Sequence, residues 1–441
     1  MITSEPTIKV ALVQDSHGTA VSLYGAYPPF SGHGKKKQLS AAGGEDATVI
    51  LRDRSGRTLA QEKEISLFPA DPANDFFSIT NMRIGIRFHW ERLQTLSFRG
   101  GIVLAAGPDS TVSIFNLTGL EDYLASVISS EMSAEAPAEF LKVQAVTARS
   151  WLAAMLEKKK MPRAAQLRGE DEISVWQDVN DHEGFDVCAD DHCQRYQGIT
   201  RIISGNVARA IKETRGVFLT SGNHICDARY SKCCGGRTEI FATAWEDASS
   251  PCLASITDGP GEHPLVITQT DAEAWLSAKP AAYCNTTDEA LLRTILPSFD
   301  LETENFFRWR VVYTSEELEG ILKEKSGIDF GKLRRLEVLT RGPSGRVSRL
   351  RIEGSLRTVT VGKELEIRRW LSPTHLLSSA FVITAGLNKD GTISRFIFDG
   401  GGWGHGVGLC QIGAASMAAR GFKAEEILAH YFPGAVLQKL Y

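Results

Sequence analysis

The sequence feature that most constrains the fold is a glycine-rich run near the end of the chain. Seven of the fourteen residues in 400–413 are glycine, and Trp403 and His405 are set among them. Glycine suits a backbone that needs a positive φ or the close approach of another group, and it loses the most conformational freedom on folding. So many glycines favour a shaped loop that presents Trp403 and His405 to a ligand. A turn packed on its own tryptophan is the simpler interpretation.

A phosphate-binding loop is the less favoured interpretation of this run. No Lys-Ser or Lys-Thr follows the glycines as a P-loop requires, and the spacing does not fit G-x-G-x-x-G. The next residues, 414–420 and 424–431, predict two short helices. A loop that leads into a helix offers free backbone N–H groups, which suit an anionic or hydroxyl-rich ligand.

Length and composition narrow the class of protein. A chain of 441 residues predicts two or three domains, and 43% apolar with 23% charged residues is typical of globular proteins. A net charge of −4 without a long basic run argues against a nucleic-acid partner. No stretch has the length of a transmembrane helix, and residues 1–6 lack the basic and apolar regions of a secretory signal.

The secondary-structure pattern predicts an α+β fold. Residues 1–110 read as an N-terminal β-rich region of short alternating strands. Residues 111–255 and 396–441 form the predicted core, mainly β, with a long helix near 136–159 whose apolar residues recur at helical spacing. Residues 256–395, which begin at a Gly-Pro-Gly turn, read as an inserted α+β region.

Two polar residues fall on the flanks of the apolar stripe of the long helix. Gln144 and Arg149 are expected to be partly buried, so each needs a partner. Arg149 is either a member of a structural ion pair or a donor that faces a ligand. Just before the helix, Glu131 is either an acid in the first turn or a cleft carboxyl whose burial raises its pKa and makes it a proton donor.

A metal site is predicted by the spacing His182-x5-Cys188-x4-Cys193. Two thiolates and an imidazole suit Zn²⁺, which prefers sulfur and nitrogen ligands. His192 is a competing ligand, and a disulfide between Cys188 and Cys193 or two unrelated thiols are the alternatives. The acidic residues that could support the ligands are Asp186, Asp190 and Asp191. Eight cysteines in so long a chain do not predict a disulfide scaffold.

A second cysteine motif is the sequence Cys233-Cys234-Gly235-Gly236. The adjacent cysteines either complete a metal site or serve as small packing residues beside a glycine turn, and packing is the favoured interpretation. Tyr230, just before them, is an amphipathic candidate for a cleft.

These motifs, in this order, resemble those of the SpoIID/LytB family. Residues 120–124, 127–132 and 141–150 resemble its L-E-D-Y, S-E-M and L-K-A-Q-A-V-A-A-R-T patterns. Residues 230–239 resemble its Y-x-S-x-x-G-G-x-T-E block, with Lys232 and the two cysteines at the usual Ser/Thr positions. Residues 403–413 resemble its G-W-G-H-G-V-G-x-x-Q-x-G ending.

The resemblance implies a set of site residues. Glu131 corresponds to the family's catalytic acid, and the further catalytic residues that it implies are Arg149, Tyr196 and Tyr230. Expected substrate-binding residues are Gln144, Ser231, Gly235, Gly236, Trp403, His405 and Gln411. The implied zinc ligands are His182, Cys188 and Cys193, and the ion is expected to be structural and close to the cleft.

Family members act on peptidoglycan, so the implied substrate is its glycan strand and the implied location is the cell envelope. The first hypothesis is a lytic transglycosylase that cleaves the bond between N-acetylmuramic acid and N-acetylglucosamine in strands without stem peptides. The second is a non-catalytic glycan-binding enhancer of a cell-wall amidase. A zinc-dependent hydrolase is the third and least favoured, because two thiolates weaken the Lewis acidity of the ion.

Overall fold

The computed structural model of this chain describes residues 2–32, 36–88, 90–162, 164–177 and 182–441. The strands are β1 (Thr7–Ser16), β2 (Thr19–Tyr24), β3 (Lys36–Gly43), β4 (Val49–Asp53), β5 (Thr58–Glu62), β6 (Glu64–Leu67), β7 (Phe76–Ile84), β8 (Arg92–Arg99), β9 (Gly101–Ala106), β10 (Val112–Gly119), β11 (Leu167–Arg168), β12 (Glu172–Ser174), β13 (Val187–Cys188), β14 (Val217–Ser221), β15 (His224–Ile225), β16 (Tyr230–Ser231), β17 (Arg308–Thr314), β18 (Leu333–Arg341), β19 (Val347–Gly354), β20 (Thr358–Gly362), β21 (Phe381–Leu387), β22 (Ile393–Gly401), β23 (Leu409–Cys410) and β24 (Val436–Lys439). The α-helices are α1 (Leu120–Glu131), α2 (Ala138–Lys158), α3 (Gly205–Glu213), α4 (Phe241–Ala244), α5 (Gln269–Ser277), α6 (Glu289–Ile295), α7 (Ser315–Ser326), α8 (Glu364–Trp370), α9 (Gln411–Ala419) and α10 (Ala424–Tyr431). Helices and many strands in several sheets confirm the predicted α+β class.

The first ten strands form two sheets. One has the order β5-β4-β3-β2-β7-β8 and is antiparallel throughout. The other has the order β13-β1-β10-β9-β6, in which the short β13 joins β1 in parallel. Side chains from both sheets share one apolar core with helices α1 and α2, among them Val10, Phe77 and Trp151.

Helix α2 is buried on every side, which differs from the single apolar stripe that the sequence predicts. Its first half, including Leu141 and Val146, packs into the core of the α9–α10 region. Its second half, including Trp151 and Leu152, packs against the N-terminal sheets. The helix therefore lies between two cores. The predicted flanks with Gln144 and Arg149 are fully buried rather than half-exposed.

Helix α1 ends where the predicted catalytic glutamate lies. Residues 120–130 form its body, and Glu131 is its last residue. Met132, which follows, is extended with φ −129° and ψ 179°, so the chain leaves the helix there. The end of α1 therefore fixes the position of the Glu131 side chain.

The predicted insert has its own apolar core, built from Leu350, Trp370 and Phe398 among others. The strand orders β11-β12-β20-β19-β18 and β17-β22-β21 form its two sheets. Helix α7 belongs to this region and has a defined start and end. Thr314 and Glu317 form a capping box at its start, and Gly327 ends it with φ 74°.

The glycine-rich run is an irregular loop held between two segments. Strand β23 at its end pairs in parallel with β16, and Trp403 forms an antiparallel bridge with Cys233. The guanidinium of Arg346, a fully buried residue of the insert, donates to the carbonyl of Gly404 at 3.1 Å. A Cβ on Gly406 would lie 2.3 Å from the Arg346 Cζ, so this glycine is required by a close approach as well as by its φ of 75°.

One disulfide joins Cys226 to Cys252, a pair that sequence reasoning did not single out. Within the described ranges, none of the helices combines the length and apolarity that a bilayer crossing requires. The predicted boundaries of the three regions stay predictions, since strands β11 and β12 of the predicted core pair with the sheet of the insert.

Candidate active site

A cleft of about 1250 Å³ lies where the N-terminal sheets, the helical core and the insert meet. The core residues that line it include Glu131, Arg195, Tyr230, Ser231, Lys232, Trp403, His405 and Gln411. The insert contributes residues of α8 and the segment after it, including Glu364, Arg368 and His375. The insert therefore narrows the groove in which the predicted site residues lie.

Glu131 lines this cleft from the end of α1, with only 8% of the residue exposed. Its Oε1 accepts hydrogen bonds from the backbone N–H of Arg195 at 3.0 Å and from the Tyr230 hydroxyl at 3.1 Å. Among the described residues, no hydrogen-bond donor reaches Oε2. The carboxyl group is thus held in place through one oxygen, and Oε2 is left for a ligand.

Burial raises the pKa of Glu131 above its ordinary value, although the positive charges of Arg195 and Lys232 act in the opposite direction. A carboxyl with a raised pKa keeps its proton to a higher pH than a surface glutamate does. It can therefore serve as a general acid at a higher pH than a surface glutamate could.

A buried ionic network supports the Glu131 position. The Lys232 Nζ donates to the backbone carbonyl of Glu131 at 2.5 Å and pairs with Asp300 at 2.8 Å. Arg195 also pairs with Asp300 at 2.9 Å, and its Nε donates to Asp191 at 2.8 Å. Asp300 comes from the insert, so the insert anchors both cations that flank the glutamate.

The charges of this network balance when Glu131 is protonated. Lys232 and Arg195 carry two positive charges, and Asp300 and Asp191 carry two negative charges. Burial acts to raise the pKa of Asp300, but Arg195 and Lys232 together hold it below its ordinary value. Ionised Glu131 would add an uncompensated charge in a buried setting, which is costly.

Tyr230 and Ser231 lie on strand β16 beside Glu131. The Tyr230 hydroxyl donates to Glu131, and burial raises the pKa of this phenol well above its ordinary value, so it stays protonated. The Ser231 hydroxyl accepts a hydrogen bond from the backbone N–H of Gly406 at 3.1 Å. Strand β16 thereby holds the glycine-rich loop against the acid.

The three predicted residues of the glycine-rich region all line the cleft. Trp403 lies with its ring 5.8 Å from the Lys232 Nζ, and Gln411 is the first residue of α9. Burial lowers the pKa of His405 well below its ordinary value, so its ring is neutral. Its Nδ1 accepts from the backbone N–H of Val407 at 3.0 Å, which places the ring proton on Nε2 as a donor.

Arg149 is paired with Glu121 and does not line the cleft, so the catalytic role that the resemblance implies for it stays a prediction. Its guanidinium forms two hydrogen bonds with the carboxylate of Glu121, at 2.6 and 3.1 Å, and a third with the carbonyl of Val217 at 3.1 Å. Helix α2 is packed on all sides, so a side chain on this flank meets α1 and β14 rather than the cleft. Of the two interpretations that the sequence left open, the geometry matches the structural ion pair.

Tyr196 is also directed away from the cleft. Its ring is 98% buried and stacks on Tyr123, and its hydroxyl donates to the side chain of Asn116 at 2.5 Å. The structure therefore does not place it as the expected surface for stacking a sugar. Gln144 reaches the site only through Gln411, whose Nε2 donates to the Gln144 Oε1 at 3.4 Å.

Gly235 and Gly236 shape the turn behind the cleft and do not line it. Their φ values are 82° and 108°, and a Cβ on Gly235 would lie 3.1 Å from the backbone N of Gly402. Gly235 lets the turn after β16 pack on the glycine-rich loop, and Gly236 leaves room for the ring of Trp275, which a Cβ would approach to 2.9 Å. Gly235 influences the cleft through that loop.

The predicted metal ligands come together at one wall of the cleft, and His192 joins them. One donor atom from each of His182, Cys188, His192 and Cys193 lies within 4.8 Å of the others. The Cys193 Sγ is 3.1 Å from the His182 Nε2 and 3.4 Å from the His192 Nδ1. Both cysteines are free, so the alternative disulfide is not formed. Two sulfurs and two nitrogens at these distances could hold a tetrahedral ion such as Zn²⁺.

Sequence reasoning missed three residues of the network. Arg195 precedes the predicted Tyr196 and turns its backbone N–H and guanidinium toward the cleft. Lys232 was noted only as a departure from the family pattern. Asp300, in a short 3₁₀-helix of the insert, had no signal in the sequence because its partners lie 105 and 68 positions earlier in the chain.

Comparisons with known proteins match two stretches of this chain to family models. Residues 108–221 match a family model described as stage II sporulation protein, and residues 239–408 match a domain of unknown function, DUF8618. The chain is 24% identical over 318 residues to a stage II sporulation protein D of Bacillus amyloliquefaciens, covering 71% of this chain and 73% of the relative.

Two further relatives are similarly distant. An amidase enhancer of Bacillus subtilis is 25% identical over 253 residues, covering 53% of this chain and 33% of the relative, so this chain matches about a third of that protein. An uncharacterized protein of Brachyspira hyodysenteriae is 24% identical over 344 residues, covering 78% of this chain and 72% of the relative.

Proposed function

Because this chain belongs to the SpoIID/LytB family, we propose that its cell-wall function is that of a peptidoglycan lytic transglycosylase acting at the cell envelope. Its substrate is the glycan strand without stem peptides, and the products carry 1,6-anhydromuramic ends. One observation carries the proposal. Glu131 is a buried carboxyl with a raised pKa that lines the large cleft, and the described residues hold it through Oε1.

Glu131 acts twice in the proposed reaction. First, its protonated carboxyl donates a proton to the oxygen of the bond between N-acetylmuramic acid and N-acetylglucosamine, and the C1–O bond breaks. The resulting carboxylate then takes the proton from the C6 hydroxyl of the same muramic residue. The C6 oxygen bonds to C1 and closes the anhydro ring, so no water is consumed and Glu131 is protonated again.

A single carboxyl group suffices for these two proton transfers, whereas most glycoside hydrolases use two carboxyl groups. The two other acidic side chains of the network, Asp191 and Asp300, are both paired with Arg195. Of the other acidic residues that line the cleft, Asp190 accepts from the backbone N–H groups of Gly85 and Ile86, and Glu364 pairs with Arg368. These contacts favour Glu131 as the single acid. The Tyr230 hydrogen bond stabilises the carboxylate that forms after the first proton transfer, because it donates to the charged form.

The charge of the cleft suits a glycan that carries carboxylates. Among the described residues, eight basic and four acidic side chains line it. Arg229 is one of the basic residues, and its guanidinium lies 4.1 Å from the ring of Trp245. In this proposal Arg229 and Arg368 attract the muramic lactyl groups, Trp403 contacts a sugar face, and His405 and Gln411 donate hydrogen bonds to hydroxyl groups.

The metal group beside the cleft has a structural role in this proposal. His182, Cys188, His192 and Cys193 would complete a tetrahedral shell with protein ligands alone, as structural zinc sites do. Such an ion cross-links the segment that leads to Arg195, whose N–H holds Glu131. Removal of the ion by a chelator is expected to lower the melting temperature, and a closed shell disfavours a zinc-dependent hydrolase.

The second candidate is an amidase enhancer that binds the glycan without cutting it. The relative of that name in Bacillus subtilis motivates it. The same cleft would then bind the strand, and Glu131 would be a binding residue. Stimulation of an amidase that survives Glu131→Gln, with no products from the wild type alone, would favour this candidate.

The test is digestion of peptide-free glycan strands by the wild type, Glu131→Gln and the control Glu135→Gln, with products identified by mass spectrometry. Glu135 is exposed and lies four positions from Glu131. We expect anhydromuramic ends from the wild type and from the control, and none from Glu131→Gln. Equal products from all three proteins would contradict the assigned role of Glu131.

A further inference from the structure

A second group of metal-ligating side chains lies in the buried core, outside the cleft. The Sγ atoms of Cys234, Cys284 and Cys410 and a carboxylate oxygen of Asp258 all lie within 4.8 Å of one another. The four residues are at most 3% exposed. We propose that this group binds one divalent metal ion, for which Zn²⁺ is the best fit, as a structural site.

The distances match a single tetrahedral ion. A Zn–S bond of about 2.3 Å requires ligand sulfurs at the corners of a tetrahedron to lie about 3.8 Å apart. The Sγ atoms of Cys234 and Cys284 are 3.7 Å apart. Three sulfurs and one carboxylate oxygen are all ligand types that zinc accepts, and four ligands fill the shell of a structural site.

Hydrogen bonds from backbone and side-chain donors point at the proposed ligand atoms. The Cys410 Sγ accepts from the backbone N–H of Cys234 at 3.2 Å, and the Cys234 Sγ accepts from that of Gly236 at 3.4 Å. The Asp258 carboxylate accepts from the Tyr431 hydroxyl at 2.5 Å and from the backbone N–H of Cys284 at 3.0 Å. Such outer contacts orient the ligands of known metal sites.

Charges around the group also suit a bound cation. Three thiolates and one carboxylate carry four negative charges, and a divalent ion reduces the total to two. Two guanidiniums lie next to Cys234. Arg346 donates to the carbonyl of Cys234, and Arg308 donates to that of Gly235, both at 3.1 Å. The remaining charge is therefore balanced without solvent.

The ion would join parts of the chain that are distant in sequence. Cys234 comes shortly after strand β16, and Cys410 is the last residue of β23, which pairs with β16. Asp258 and Cys284 belong to residues 256–395. Binding would fasten the start of that region to the end of the glycine-rich loop. The role is one of fold stability and does not depend on the proposed lyase chemistry.

The adjacent cysteines provide a matched pair of variants for the test. Cys233 and Cys234 are both buried and free. The Cys234 Sγ lies within 4.8 Å of every other ligand atom of the group, whereas Cys233 contacts Cys284 and Cys410 but is not one of the four ligands. The metal content of the full chain is measured by mass spectrometry after expression with zinc. We expect two ions per wild-type chain, two in Cys233→Ser and one in Cys234→Ser. Loss of an ion from Cys233→Ser with none lost from Cys234→Ser would overturn the assignment.

A second measurement covers the case in which Cys234→Ser does not fold. The double variant Cys188→Ser/Cys193→Ser removes the sulfur ligands of the group at the cleft. We expect it to retain one ion and, with Co²⁺ as the probe, to show the absorption of a tetrahedral thiolate site. A metal-free variant, or a disulfide between Cys234 and Cys284 found by peptide mapping, would overturn the proposal.

Discussion

Glu131 and Glu239 are both buried glutamates from motifs of the same family resemblance, and burial raises the pKa of each. Their surroundings differ. Glu131 lines the cleft and accepts two hydrogen bonds at Oε1. Glu239 is fully buried and accepts four: from Ile240 and Thr243 at Oε1, and from the N–H and hydroxyl of Ser344 at Oε2.

The comparison shows that burial and a raised pKa do not by themselves identify a catalytic acid. Both oxygens of Glu239 are occupied by donors, so this carboxylate joins the core to the insert. Glu131 has one fixed oxygen and one that can meet a substrate. Access to one oxygen is therefore the property that distinguishes the proposed acid from the structural one.

The largest expected effect is that of Glu131→Gln on cleavage. We expect the rate to fall by about 10²–10⁴-fold or more, because general acid and base steps are both lost. The glutamine amide oxygen can replace Oε1 and still accept from Arg195 and Tyr230, so the fold should be retained. Rates on glycan strands and a thermal melt of the same sample check both parts.

Asp300→Asn is expected to cost about 3–5 kcal/mol of stability, because it leaves Arg195 and Lys232 without their shared buried anion. In the folded fraction the added positive charge should lower the pKa of Glu131. The activity should then be lost at a lower pH than in the wild type. Urea unfolding and a pH–rate profile measure the two effects, and an unchanged profile would contradict the electrostatic coupling.

Glu239→Gln should lower the stability of the fold and leave the rate of cleavage unchanged. The NH₂ group of the glutamine must face either the backbone N–H of Ile240 or that of Ser344. In both orientations two donors meet, and one buried N–H is left unpaired. The expected cost is about 1–3 kcal/mol in the free energy of unfolding. Cleavage per folded molecule should equal that of the wild type, and a loss as large as that of Glu131→Gln would break the comparison.

Tyr230→Phe removes one hydrogen bond from Glu131, with an expected cost of about 1 kcal/mol in transition-state stabilisation, or roughly fivefold in rate. Loss of a donor to the carboxylate should raise the pKa of Glu131 further. The alkaline limb of the pH–rate profile should therefore move to higher pH. A limb that moves to lower pH would show that Tyr230 does not donate to this carboxylate.

The smallest expected effect is the pH dependence of the difference in melting temperature between Glu131→Gln and the wild type. The pKa of Glu131 is higher in the folded state, so its contribution to stability is complete below its unfolded-state pKa and is lost as the pH rises through the folded-state pKa. Glu131→Gln lacks this loss. Its melting temperature relative to the wild type should increase as the pH rises, and a constant difference would contradict the raised pKa.

The sequence was informative where a motif determines both which residue is present and that its side chain faces the cleft. The S-E-M and Y-x-S motifs and the glycine-rich run predicted Glu131, Tyr230, Trp403 and His405, which all line the cleft. Their roles stay predictions. The apolar spacing also predicted the long helix to within two residues at its start and one at its end.

The sequence was less informative where the position of a side chain depends on tertiary packing. Arg149 and Tyr196 match family motifs, but helix α2 lies between two cores, and the Tyr196 ring stacks on Tyr123, so neither faces the cleft. The disulfide between Cys226 and Cys252 and the contribution of Asp300 join distant segments. Such long-range pairs leave no local pattern in a single sequence.

The central claim is that Glu131 drives an intramolecular ring closure rather than hydrolysis. The most direct measurement is digestion of peptide-free glycan in water labelled with oxygen-18 by the wild type, Glu131→Gln and Glu239→Gln. The proposed mechanism predicts unlabelled anhydromuramic ends from the wild type and Glu239→Gln, and none from Glu131→Gln. Reducing ends that carry oxygen-18, or cleavage that persists in Glu131→Gln, would contradict it.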